Sequence, residues 1–130
     1  MPRITLLFAA LHAVLTVVLA LRVAMFRYNA KIALGDGGDK VMTRRVRAHG
    51  NLIENAPLAL LLLGLLELSG LDPRWLWGFG GTLLVARLLH AHALSRRAGM
   101  SPGRLLGTLL TWAVLLGEAA VAIRLFATDA

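Results

Sequence analysis

Apolar positions fall into four nearly unbroken stretches, Ile4–Phe26, Leu52–Leu71, Trp75–Leu94 and Leu105–Phe126. Each has about the twenty residues that a helix needs to cross roughly 30 Å of hydrocarbon. The pattern predicts helices over about 4–28, 44–71, 74–95 and 103–127, which make residues 1–130 a single all-α, four-transmembrane-helix bundle with no separate soluble domain. Pro73 and Pro102 are placed to begin the third and fourth helices, and Trp75 and Trp77 suit an interfacial belt. "GDGGDK", Gly35–Lys40, reads as a flexible connection; it lacks the G-x-x-x-x-G-K-[ST] spacing and the preceding strand of a phosphate cradle.

The polar residues inside these stretches are patterned too. Arg47, Asn51 and Glu54 stand at i, i+4 and i+7, one face of the second helix. Arg87 and His90 make a second stripe on the third helix, and Arg104, Thr108 and Thr111 a third on the fourth, all toward the same end of the bundle. A charged side chain in hydrocarbon costs roughly 2.5–3.5 kcal/mol on the most lenient scale, so such groups turn to a protein interior or a wet cavity. The stripes are therefore expected to converge on a pocket lined by Arg47, Asn51, Glu54, Arg87, His90 and Arg104. Internal salt bridges and snorkelling arginines are the plainer reading of any one of them, but three arginines against one glutamate leave positive charge over. A ligand with several carboxylates and one ammonium group would balance it. Arg22 either snorkels or joins this pocket, and Arg44, Arg45, Arg96 and Arg97 read as solvated charges that meet anionic lipid headgroups. His12 and Glu118 stand at matching depth near the opposite end and are expected to pair, within or between subunits.

Composition strengthens the membrane reading, with 58% hydrophobic and 16% charged residues. The net charge of +7 lies in the short connections, which favours membrane lipids over nucleic acid as its partner. Nine basic residues occupy or flank the first and third connections, so the positive-inside rule puts these in the cytoplasm and both termini outside. The first apolar run is too long for a signal-peptide core and reads as a helix. With no cysteine in the chain, any thiol chemistry must come from a substrate, and no metal site is expected.

"RAHGNLIENAPL" at Arg47–Leu58, "ARLLHAHALS" at Ala86–Ser95 and "SPGRLLGTLLTW" at Ser101–Trp112, set in four spans of matching length, resemble the MAPEG superfamily, the membrane-associated proteins in eicosanoid and glutathione metabolism, and in particular its small bacterial members. The resemblance covers nearly the whole chain, and its first motif is the most specific. It implies a homotrimer in a bacterial inner membrane, with a glutathione site between subunits near the cytoplasmic face. It also implies glutathione contacts at Arg47, Asn51 and Glu54, at Arg87 and His90, and at Arg27, with Arg104 stabilising the glutathione thiolate. The chain has Leu94 where many members have a tyrosine, and Gly50 where some have an arginine, so the thiolate leans more heavily on Arg104. The implied reaction is thiolate attack on an apolar electrophile, or reduction of a lipid hydroperoxide. A non-catalytic lipid-binding or structural protein of the same fold is the alternative, and a small oligomeric transporter ranks below it. Gly103 and Gly107 stand at G-x-x-x-G spacing, which allows close helix approach.

Overall fold

The computed structural model describes residues 1–96 and 101–129. The apolar stretches form four helices, α1 (Arg3–Ala30), α2 (Lys40–Leu68), α3 (Pro73–Arg96) and α4 (Pro102–Asp129). Consecutive helices run antiparallel. Thr5 lies beside Gly64 at one end of the α1–α2 pair, and Arg45 Nη1 donates to the Arg22 carbonyl at the other (2.8 Å). Along α3 and α4, Phe79 meets Gly117 and Ala93 meets Gly103. The result is an up-down-up-down bundle in which α2 and α3 each pack on all three other helices, while α1 and α4 do not meet among the described residues.

Three helices, α1, α2 and α4, are long and apolar enough to cross a membrane. The pattern predicts a fourth span at α3, which is less apolar because it carries Arg87, His90 and His92. Arg87 and His90 are buried inside the bundle. At 24 residues, or about 36 Å at 1.5 Å per residue, α3 has the length to run the depth of the bundle with these two polar groups enclosed. Residues 97–100, which include Arg97 and the first part of the Ala98–Arg104 turn, lie outside the described residues.

The helix ends differ from the apolar pattern where capping chemistry decides them. α2 begins at Lys40 rather than 44 because Asp39, in an extended conformation, accepts from the Val41 and Met42 amides (2.7 and 2.8 Å). The preceding connection is a compact turn. Gly35, Gly37 and Gly38 take positive φ there, and Asp36 accepts from the Gly38 amide (3.0 Å) and the Thr43 hydroxyl (2.8 Å). Those bonds, the Gly38 amide first, hold the Asp36 carboxyl below its ordinary pKa. At the opposite end Pro2 offers no capping side chain to α1. Glu67 of α2 does so across the bundle, accepting from the Ile4 and Thr5 amides (2.9 and 2.7 Å).

Three apolar clusters hold the bundle along its axis: Phe8 with Leu63, Leu66 and Leu76; Ala59 with Leu83 and Val114; and Leu19 with Leu52, Ala56 and Ala91. Where α4 crosses α3 the G-x-x-x-G pair sets the spacing. A Cβ on Gly107 would stand 2.7 Å from the Ala86 carbonyl oxygen and 2.9 Å from His90 Cβ, and one on Gly103 would stand 3.0 Å from Ala93 Cβ. Backbone lies against Gly107, so the added methyl has no flexible neighbour to displace. Gly107→Ala is expected to lower stability in detergent by about 1–3 kcal/mol through overpacking, read as a fall in melting temperature; an unchanged melt would mean that the crossing is not close.

Candidate functional site

The polar stripe of α2 opens onto a pocket of about 590 Å³ at the end of the bundle that holds the first connection. Arg47, Asn51 and Glu54 line it from α2, His90 from α3 and Arg104 from α4, and five of the expected ligand-contacting residues thereby share one cavity. Arg47 and Glu54 are exposed, Asn51 and Arg104 partly buried and His90 buried. Glu54 supplies a carboxylate and the arginines supply cations, so the cavity presents charge of both signs, with the positive in excess.

Arg87, expected in the same cavity, lies behind its wall. The residue is buried, 2% exposed, and both Nη atoms bond within the protein, while Nε is enclosed without a hydrogen-bond partner among the described residues. Nη1 donates to Asn51 Oδ1 (2.7 Å), and Nη2 donates to the Gly107 carbonyl (3.0 Å) and the Thr111 hydroxyl. Three helices are thus tied at one point, and the Asn51 side-chain carbonyl is turned toward Arg87. Thr111 reaches this node because it sits one turn beyond Gly107, whose carbonyl also accepts from its hydroxyl (2.8 Å). Arg87 meets α2's polar stripe at Asn51.

Arg27 is also elsewhere. It lies near the end of α1, donating to the Ile32 carbonyl (3.3 Å) and lining a shallow cleft with Tyr28 and Lys31. Arg22 does not join the pocket: Nη1 donates to Ser95 Oγ (3.0 Å), while Arg45, which donates to the Arg22 carbonyl, lies over the Phe26 ring (4.6 Å). Arg22 and Arg45 are therefore ties of α1 to its neighbours, and Arg45 is not simply a solvated charge.

Sequence reading missed several pocket residues. Arg44, read there as a solvated charge, lines the cavity with Thr43; its position three residues before Arg47 puts it on the same helix face, which was the available signal. Gly50 and Leu94, the two positions set apart by the resemblance, both line the cavity as well. Gly50 leaves the α2 wall bare, and Leu94, buried at 4%, gives the cavity hydrocarbon.

The expected His12–Glu118 pair does not form. Depth along the helices is similar, but α1 and α4 lie on opposite sides of α2 and α3, and sequence periodicity does not report that lateral separation. His12 Nδ1 bonds the Phe8 carbonyl (2.8 Å). His12 Nε2 and both Glu118 oxygens are enclosed with no hydrogen-bond partner among the described residues. At 3% and 0% exposed, the two residues are enclosed by this chain's own helices, which also keeps them from a pairing across subunits.

A family model described as the MAPEG family matches residues 5–124. The inner membrane protein YecN of Escherichia coli (strain K12) is 31% identical over 119 residues, covering 87% of this chain and 85% of that protein. YecN of Escherichia coli O6:H1 (strain CFT073) matches to the same extent.

Proposed function

We propose, from the premise that this chain belongs to the MAPEG family and is a membrane protein of that family, that its polar pocket binds glutathione and activates the thiol. One observation carries the reading: Arg47, Asn51, Glu54, His90 and Arg104, drawn from three helices, line one cavity of mixed charge. Glutathione brings two carboxylates, an ammonium and a thiol. Arginines pair with the carboxylates, Glu54 accepts from the ammonium or an amide, and Arg104 faces the sulfur. A cation beside the sulfur favours the thiolate, the nucleophilic form.

Apolar electrophiles arrive through the lipid. In conjugation the thiolate forms a carbon–sulfur bond and the displaced group leaves with the bonding pair. In peroxide reduction the thiolate attacks the terminal oxygen, the O–O bond breaks and the lipid alkoxide takes a proton. A second glutathione then converts the sulfenic acid to the disulfide, with water released. Leu94 in the cavity wall supports a second reading, a non-catalytic protein of the same fold that binds a lipid, because that position supplies no hydroxyl to the sulfur.

The assembly proposed is a homotrimer. In a single chain Arg27 lies outside the cavity, and a neighbouring copy is the way it would reach a shared site. The proposed location is the inner membrane, as the names of the two relatives say of them, with the first and third connections cytoplasmic on the basis of their charge. The test is an ultraviolet difference spectrum of detergent-purified protein with glutathione at neutral pH. Thiolate absorbance on binding is expected; its absence, together with no calorimetric binding of glutathione, overturns the reading and leaves the lipid-binding alternative.

A further inference from the structure

The sequence pattern predicts three arginines in the pocket, Arg47, Arg87 and Arg104, and the cavity lining lacks one of them, Arg87. Arg87 is spent on Asn51, Gly107 and Thr111 behind the wall. Arg44 takes its place. It lines the cavity, is partly buried, and has an enclosed Nε without a hydrogen-bond partner among the described residues. With Arg44 in and Arg87 out, the cavity again holds three arginines and one glutamate, an excess of two positive charges. Glutathione with an ionised thiol carries two carboxylates, a thiolate and one ammonium, an excess of two negative charges. Without Arg44 one negative charge would go unmatched where the local dielectric is low and mismatch is expensive.

The geometry along α2 assigns the group. Arg44, Arg47, Asn51 and Glu54 follow one another at intervals of three, four and three residues on one face. From Arg44 to Glu54 the helix rises about 15 Å at 1.5 Å per residue. The cysteinyl and glycyl residues of glutathione extend about 7 Å at 3.3–3.6 Å per residue, its γ-linked glutamyl side chain adds further length toward the ammonium, and an arginine side chain of ordinary reach closes the difference. With Glu54 taking the ammonium at one end, the far carboxylate, that of the glycyl residue, falls at Arg44. We infer that Arg44 is a binding residue of this pocket, pairing with the glycyl carboxylate of glutathione and thereby selecting the full tripeptide anion. The inference rests on the glutathione reading above and adds to it a residue and a ligand group.

The experiment is calorimetric titration of wild type, Arg44→Gln and Arg44→Lys with glutathione and with its glycyl monoethyl ester, in which only that carboxylate is neutralised. Loss of one charge-assisted contact is expected to weaken glutathione binding by Arg44→Gln about ten- to a hundredfold. Binding of the ester by the same variant should match wild type, and Arg44→Lys should recover part of the loss, since lysine keeps the charge without the guanidinium fork. Equal weakening for glutathione and ester would assign Arg44 a structural role and overturn the inference, as would unchanged glutathione binding in Arg44→Gln. Wild type that binds no glutathione at all would instead take down the functional reading, and this assignment with it.

Discussion

Arg87→Lys is expected to destabilise the bundle by about 3–5 kcal/mol, more than Arg87→Met, although lysine keeps the charge. Among the described residues the buried guanidinium has no carboxylate partner; it is stabilised by neutral acceptors on two helices, the Asn51 side chain, the Gly107 carbonyl and the Thr111 hydroxyl. A planar fork can reach acceptors on both sides at once, and a single ammonium cannot. The lysine variant would thus keep a buried charge while losing the bonds that compensate it, the situation in which removing one partner of a buried charge costs about 3–5 kcal/mol. Methionine removes the charge together with the bonds. Two carbonyls near the node keep other partners, Gly107 through the Thr111 hydroxyl and Asn51 through the Asn55 amide (2.8 and 2.9 Å). The main residual penalty is then an Asn51 Oδ1 left without its donor, about 1–3 kcal/mol for an unsatisfied buried group. Melting temperatures in one detergent decide the order; a lysine variant as stable as wild type would mean that the Arg87 node does not form.

Position along each helix was legible in the sequence, and direction across the bundle was not. Spacing of 3.6 residues per turn put Arg47, Asn51 and Glu54 on one face, and in the structure they line one cavity with His90 and Arg104. The same periodicity placed Arg87 near His90 but could not say that its side chain turns to Asn51 and Thr111. It put His12 and Glu118 at like depth without showing that two helices stand between them. Arg44 belonged to the α2 stripe by spacing, yet its place beside two other basic residues in the run Arg44–Arg47 made it look like a topology charge. Asp39 was a readable N-cap hidden in a glycine-rich run, which is why α2 begins earlier than its apolar pattern.

The second large effect concerns Arg104. If the pocket binds and activates glutathione as proposed, Arg104→Leu is expected to abolish the thiolate absorbance of the bound tripeptide at neutral pH and to lower kcat/KM by about 10²–10³-fold, the range for removing one preorganised group that stabilises developing or localised negative charge. The local fold supports a fixed position. Gly103 lets the first turn of α4 close on Ala93 of α3, and the Arg104 amide donates to Ser101 Oγ (3.4 Å), so the side chain starts from an anchored turn beside His90 and Leu94. On the glutathione reading proposed above, Leu94 offers the sulfur no hydroxyl, and Arg104 is the cation assigned to it. The pH dependence follows with a definite sign. A neighbouring cation lowers the thiol pKa from its ordinary value of about 8.5, so activity in wild type persists as pH falls and is lost only through that lowered value. In Arg104→Leu the loss sets in at higher pH, and raising the pH should restore part of the rate. S-methylglutathione, which has no thiol to ionise, separates the two roles open to Arg104. If the side chain acts on the sulfur, this analogue binds wild type and variant with similar affinity while the thiolate band disappears. If the analogue is lost as well, Arg104 holds the tripeptide rather than its sulfur. A thiolate band that survives in Arg104→Leu would remove it from the chemistry altogether.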